Sequence, residues 1–292
     1  MTQLPVTDLA FTGFRIVKER VWALPVWALI ALVISLGGNS IIAGMGGKLP
    51  DALTLQQNPD LAPALLARLA PTALGLVLLL LVLNAIVYAA MNRAVLRPGQ
   101  SRWGYVRLGA DELRQIGLLL LLTGVFLGVE LGLGIIIAIG GALAAPGGKL
   151  AAVIVAAVTV ATAVCVIVIL AVRLSLASAE TFDKGKIGLR GSWDLTCGRF
   201  WPILGTYLLA VAITAVVAVL AWLVELGVGA AATGGHMQGF IAGQPETLAA
   251  LFAPVALLRM VLGSMVTALI WPLILTPSAA IYQTLSPTKL AG

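Results

Sequence analysis

Charge is scarce in this chain: Asp, Glu, Lys and Arg make up 10% of its 292 residues, against roughly 25% in soluble domains. With 60% of the residues apolar, a soluble fold would have no way to hide the apolar surface. Cysteine is nearly missing as well. Cys165 sits in an apolar run and Cys197 in a charged stretch, a placement that argues against a structural disulfide. The single histidine, His236, excludes a histidine-based metal cluster and comes with no partner that would make it a base. The sequence has no Gly-x4-Gly-Lys-Ser/Thr phosphate loop, no His-Glu-x2-His metal motif and no Gly-x-Ser-x-Gly elbow. The expectation is a protein without cofactor or metal and without enzymatic activity.

What the chain does have is long apolar runs, several of which reach the ~20 residues needed to cross a bilayer. The spacing predicts spans over Val21–Ile42, Ala73–Ala90, Ile116–Ile139, Leu150–Ala171, Ile203–Val224 and Leu248–Leu275. The last is interrupted by Pro254, Arg259 and Pro272, which predicts tilt or a partly inserted helix before it. The fold class is all-α and polytopic, a single integral membrane domain over residues 1–292 with short interfacial helices. These are expected at Phe11–Arg20, where Arg15, Lys18 and Arg20 alternate with apolar residues, and at Tyr105–Arg114. A further short helix is expected at Asp60–Leu69, and the Pro146-Gly-Gly turn suits a tight connection between spans.

The stretch Val172–Leu204 orients the rest. It carries Arg173, Lys184, Lys186, Arg190 and Arg199, so the positive-inside rule places it in the cytoplasm. Arg93, Arg97, Arg102, Arg107 and Arg114 mark a second basic interval on the same side, with Arg15, Lys18, Arg20 and Lys289 at the two ends. The opposite connections hold Lys48, Arg68 and Lys149. The topology expected is six spans with both termini cytoplasmic. A formal charge of +6 distributed this way points to phospholipid headgroups as partners rather than to nucleic acid.

The entries to the odd-numbered spans share a spacing. Phe14, Leu108 and Trp193 each precede an arginine by six positions, Arg20, Arg114 and Arg199, and Trp22, Ile116 and Trp201 follow two positions later. Three repeated helical hairpins, 11–92, 103–171 and 190–276, would account for it. So would the general enrichment of arginine and tryptophan at membrane boundaries.

Polar residues inside apolar runs are the candidate site. Asn84, Glu130 and Arg259 fall at compatible depths, where Glu130 and Arg259 would pair to offset the cost of an ion in lipid. They form either a ligand-binding point for a headgroup or small anion, or a structural contact between the second, third and sixth spans. Glu180, Asp183 and Asp194 read as a solvated interfacial surface among basic residues. Arg107, Arg114, Arg190, Arg199, Trp193 and Trp201 are the candidate contacts to headgroups or to a membrane-protein partner. Gly128-x3-Gly132 offers close helix packing, within the chain or in a homo-oligomer.

At Arg190-Gly-Ser-Trp-Asp-Leu-Thr-Cys-Gly-Arg-Phe-Trp, the chain resembles bacterial multi-span proteins of the glycerophosphoryl diester phosphodiesterase membrane domain and related uncharacterised families. In that family a similar stretch, matched here by Ser192, Trp193, Thr196, Gly198, Arg199 and Phe200, enters the fifth span. The resemblance implies six spans and envelope or lipid-related physiology. The soluble phosphodiesterase barrel that some such proteins carry has no room here, nor is there a matching catalytic Glu, Asp and His set. The function expected is therefore a non-enzymatic organiser of lipids or of a membrane-associated partner, with transport of a lipid or small anion as the alternative.

Overall fold

The computed structural model describes residues 4–44, 58, 60–144, 148–235 and 248–286. Its α-helices are α1 (Val6–Ala10), α2 (Thr12–Glu19), α3 (Leu24–Gly44), α4 (Leu61–Leu96), α5 (Ala110–Ala144), α6 (Gly148–Leu174), α7 (Ala177–Lys184), α8 (Leu189–Thr196), α9 (Phe200–Ala232), α10 (Leu248–Leu251) and α11 (Pro254–Leu285). Six of these, α3, α4, α5, α6, α9 and α11, are long and apolar enough to cross a membrane. The chain is an α-helical, multi-pass membrane protein. The ends of the spans that carry α1, α2, α7 and α8 form one face of the molecule, called the basic face below.

The core is lopsided. In their most apolar stretches α4 and α11 are 33% and 28% buried, whereas α5 and α6 are 0% buried there, so α4 and α11 form the centre and α5 and α6 the lipid-facing flank. α11 is the hub, packing against α3, α9, α4 and the short α2. Close approach to α2 depends on Gly13, where a Cβ would lie 2.5 Å from the Leu273 Cα and the Pro272 carbonyl oxygen. The opposite face of α2 exposes Phe11 and Phe14 beside Arg15 and Lys18, the arrangement expected of a helix lying in the headgroup layer.

Several boundaries differ from the sequence reading. Asp60–Leu69 and the second span are one helix, running through Pro71. Proline there, about three turns into a helix about 54 Å long, removes one backbone hydrogen bond from the helix interior without ending the helix. Tyr105–Gly109 is not helical. Trp103, Gly104 and Tyr105 have φ of 52°, 64° and 66°, and helix α5 starts only at Ala110. This left-handed turn is held in place from outside: buried Trp27 donates its indole N–H to the Gly104 carbonyl at 2.8 Å, and Arg93 donates to the Tyr105 carbonyl. A Cβ at Gly104 would come to 3.0 Å from the Val26 side chain, so glycine is favoured there for space as well as for φ. The sixth span begins at Pro254 and continues to Leu285, with the short α10 before it. The Pro146 turn, His236, Lys48 and Lys289 lie outside the described residues.

Candidate functional site

The polar residues that the structure buries gather at the basic face, where α4 ends, α5 begins and α7 crosses between them. Arg93 is 1% exposed and Glu112 4%, and they form an ion pair at 2.7 Å. Asp111 joins from one turn of the same helix, 3.6 Å from Arg93, 3.5 Å from Arg97 and 2.9 Å from Arg114. The guanidiniums of Arg93 and Arg97 lie over the buried Phe182 ring, at 5.3 and 4.6 Å from its centroid. An aromatic face and a carboxylate at hydrogen-bond distance offset part of the cost of taking a guanidinium out of water.

Beside this cluster runs a neutral chain. Asn92 donates to the Ser178 hydroxyl at 2.8 Å, that hydroxyl donates to Gln115 Oε1 at 2.9 Å, and Gln115 Nε2 donates to the Ser178 carbonyl at 2.9 Å. All three residues are buried. The link joins the end of α4, the start of α5 and α7. Tyr282 near the end of α11 donates its hydroxyl to Asp183 at 2.9 Å, bringing the hub helix into the same layer.

Glu180 departs from the solvated surface expected of it. It is 2% exposed, with Lys184 on Oε1 at 2.7 Å and no hydrogen-bond partner for Oε2 among the described residues. Its carboxylate fills the space beside Gly188 and Gly191, where side chains would collide with it. The start of α8, whose free backbone N–H groups favour negative charge, thus receives a carboxylate from α7. Ser192 on α8 completes the join, donating to the Arg173 carbonyl at 2.7 Å and accepting from the Leu176 N–H at 3.2 Å.

The residues singled out inside the spans do not meet. Asn84 is exposed and donates to the Leu80 carbonyl of its own helix at 2.7 Å. Glu130 is exposed on α5, which packs against α4 and α6 rather than against α11. Arg259 is half-buried on α11 and acts electrostatically on Glu225 of α9, the helix packed beside it. Both sit toward the face opposite the basic one. The acid that shares Arg259's surroundings is Glu225 instead of Glu130, because depth along a helix was compatible for either while only α9 abuts α11.

The basic and aromatic candidates divide in two. Arg107 and Arg190 are exposed, as are Trp193 and Trp201, the last at 77%. Arg114 is committed to Asp111, and Arg199 donates to the Leu195 carbonyl at 3.2 Å where the chain turns into α9. Trp193 is stacked beneath Arg173, 5.4 Å from ring centroid to guanidinium. Trp22 and Trp103, 48% and 76% exposed, continue this rim of tryptophans around the basic face. Missed by the sequence reading were Asn92, Glu112, Gln115 and Ser178, and it took Arg93 for a loop arginine. A signal was present for Asn92 and Gln115, which directly abut apolar runs, but not for Glu112 and Ser178, which lie among other polar residues.

The polar side chains of the buried belt bond to other parts of the chain, with Arg93 Nε and Glu180 Oε2 left without a hydrogen-bond partner among the described residues, and none of these side chains is a nucleophile poised beside a base. Chemically the belt is a fastening: it fixes the mutual orientation of α4, α5, α7 and α11 and leaves the exposed cations and indoles outside it. Comparison with protein-family models, curated proteins and solved structures finds no match to this chain.

Proposed function

We propose that this is a non-enzymatic membrane protein that organises phospholipids at its basic face or holds a membrane-associated partner there. The observation that carries the reading is the exposed rim of Trp22, Trp103, Trp193 and Trp201 with Arg107 and Arg190, mounted on a rigidly fastened belt. Indoles favour the headgroup layer and arginines its phosphates, so the rim would fit a bilayer surface. In a bacterium this would be the cytoplasmic leaflet of the inner membrane, with both termini on that side. A likeness to the glycerophosphoryl diester phosphodiesterase membrane domain is consistent with a lipid-related role and supplies no activity. In the repeat proposal, the units entered at Arg20 and Arg199 are the closer pair: both arginines stand at a helix start, with φ and ψ of −128° and 37° and of −123° and 21°, whereas Arg114 lies within α5.

The test is gentle purification followed by identification of the retained lipids and proteins. Wild type is expected to retain a saturable set that falls when Arg107 and Arg190 are both changed to glutamine. An unchanged set would reject the reading. Transport, the alternative, draws its support from Arg259 and Glu225, and would show as flux of lipid or anion in liposomes that is lost in Arg259→Ala.

A further inference from the structure

A cavity of about 380 Å³ opens on the basic face between α1, α2 and the ends of α4 and α11. That volume falls within the roughly 300–1,000 Å³ of small-molecule sites. Asp8, Arg15, Glu19 and Arg20 line it from one side, and Gln283 and Thr284 from the other. Two guanidiniums and two carboxylates leave the wall without net charge yet with distinct centres of each sign. None of the four side chains belongs to an ion pair among the described residues. Arg15 donates one N–H to the Asp8 backbone carbonyl at 3.2 Å, which leaves both carboxylates available.

One peptide bond beyond Arg20, Val21 lines a second cavity of about 440 Å³, an apolar groove between α3 and α11 completed by Leu24, Ala28, Met265 and Leu269. Ala280 in the polar cavity and Ala268 in the groove share α11 and stand about 18 Å apart along it. Half of a roughly 30 Å hydrocarbon core gives about 15 Å for one leaflet, a comparable reach.

We infer that the two cavities together bind one zwitterionic phospholipid with a primary amine: its phosphate on Arg15 and Arg20, its ammonium on Asp8 and Glu19, and an acyl chain in the α3–α11 groove. An anionic headgroup would meet two uncompensated carboxylates. A quaternary ammonium has no N–H to donate to them and is ordinarily recognised by aromatic faces, and no aromatic residue lines the polar cavity. This inference rests on the lipid-organising reading and names the lipid.

The test uses the full chain in nanodiscs of equal parts phosphatidylethanolamine, phosphatidylcholine and phosphatidylglycerol, extracted into detergent, with retained lipid measured by mass spectrometry. Phosphatidylethanolamine is expected to be retained about three- to tenfold over the other two, the range that partly exposed charge pairs support. Asp8→Asn with Glu19→Gln brings phosphatidylethanolamine down to the level of phosphatidylcholine, and Glu19→Gln alone goes part of the way should the double variant fail to fold. Arg20→Gln lowers both, and Leu24→Trp, which fills the groove, lowers all three. Saturable retention with no headgroup preference, or a preference untouched by removing the carboxylates, overturns this site while the lipid-organising reading stands. Retention of no lipid at all removes both. Displacement by soluble glycerophosphoethanolamine, without loss of binding in Leu24→Trp, assigns the site to a free headgroup and overturns it as a lipid site.

Discussion

Arg93 and Glu112 face each other at 2.7 Å in a setting almost closed to solvent, joining the last turn of the second span to the first turn of the third. Buried pairs of this kind add little net stability over apolar residues of equal size, but removing one partner strands the other. Glu112→Leu is therefore expected to cost about 3–5 kcal/mol. Arg93→Met combined with Glu112→Leu should recover part of it, since the bond from Arg93 to the Tyr105 carbonyl and its pairing with Asp111 are lost as well. Thermal unfolding in detergent across the four-protein cycle checks this, and additive losses would show that the two residues act separately.

Gly191 stands against the Glu180 carboxylate. Adding a methyl group at Gly191→Ala should drive the Glu180 carboxylate from its seat and cost about 1–3 kcal/mol, as overpacking of a filled interior does. Glu180→Ser in the same chain makes room and should restore part of the stability. A melting temperature unchanged by Gly191→Ala would mean that α8 is not seated on Glu180.

The left-handed turn at Trp103–Tyr105 relies on the Trp27 indole, whose N–H reaches the Gly104 carbonyl at 2.8 Å. Trp27→Phe keeps the apolar bulk and removes that donor, at an expected cost of about 1–3 kcal/mol for the stranded carbonyl. Limited proteolysis should then cut near Arg102, an exposed residue beside the turn. Equal resistance in wild type and variant would show that the turn is held by other contacts.

Much of the architecture could be read from the sequence, because hydropathy reports membrane depth directly. The six spans and the short helix before Arg20 follow from apolar length and charge placement, whereas the two short helices between Leu174 and Phe200 were not legible within a single charged stretch. Partners across helices did not, and the reason is geometric. Position along a helix gives depth, while rotation about its axis is set by packing that depends on residues far away in the chain. Glu130 and Arg259 matched in depth yet belong to helices that scarcely touch, whereas Arg93 and Glu112, which looked like members of basic loops, are turned inward. Tyr105 likewise had a helical pattern, but Trp27 and Arg93 draw its segment into a turn that no local preference would choose.

Gly13 lets α2 lie on α11 at Pro272 and Leu273. In Gly13→Leu the two backbones must separate, freeing the amphipathic helix and exposing the bonds after Arg15 and Lys18. Trypsin should cleave there at least several times faster than in wild type, while the melting of the six-span body changes little. Cleavage at the wild-type rate would mean that α2 does not need the close contact.

The proposed function turns the basic face toward the cell interior, and one native side chain can report on it. Cys197 is exposed on that face and Cys165 is the other cysteine of the chain. In a Cys165→Ala background expressed in spheroplasts, a membrane-impermeant maleimide should label Cys197 only after the membrane is permeabilised. Full labelling of Cys197 in sealed spheroplasts would place the tryptophan rim and its arginines on the outer surface and contradict the account.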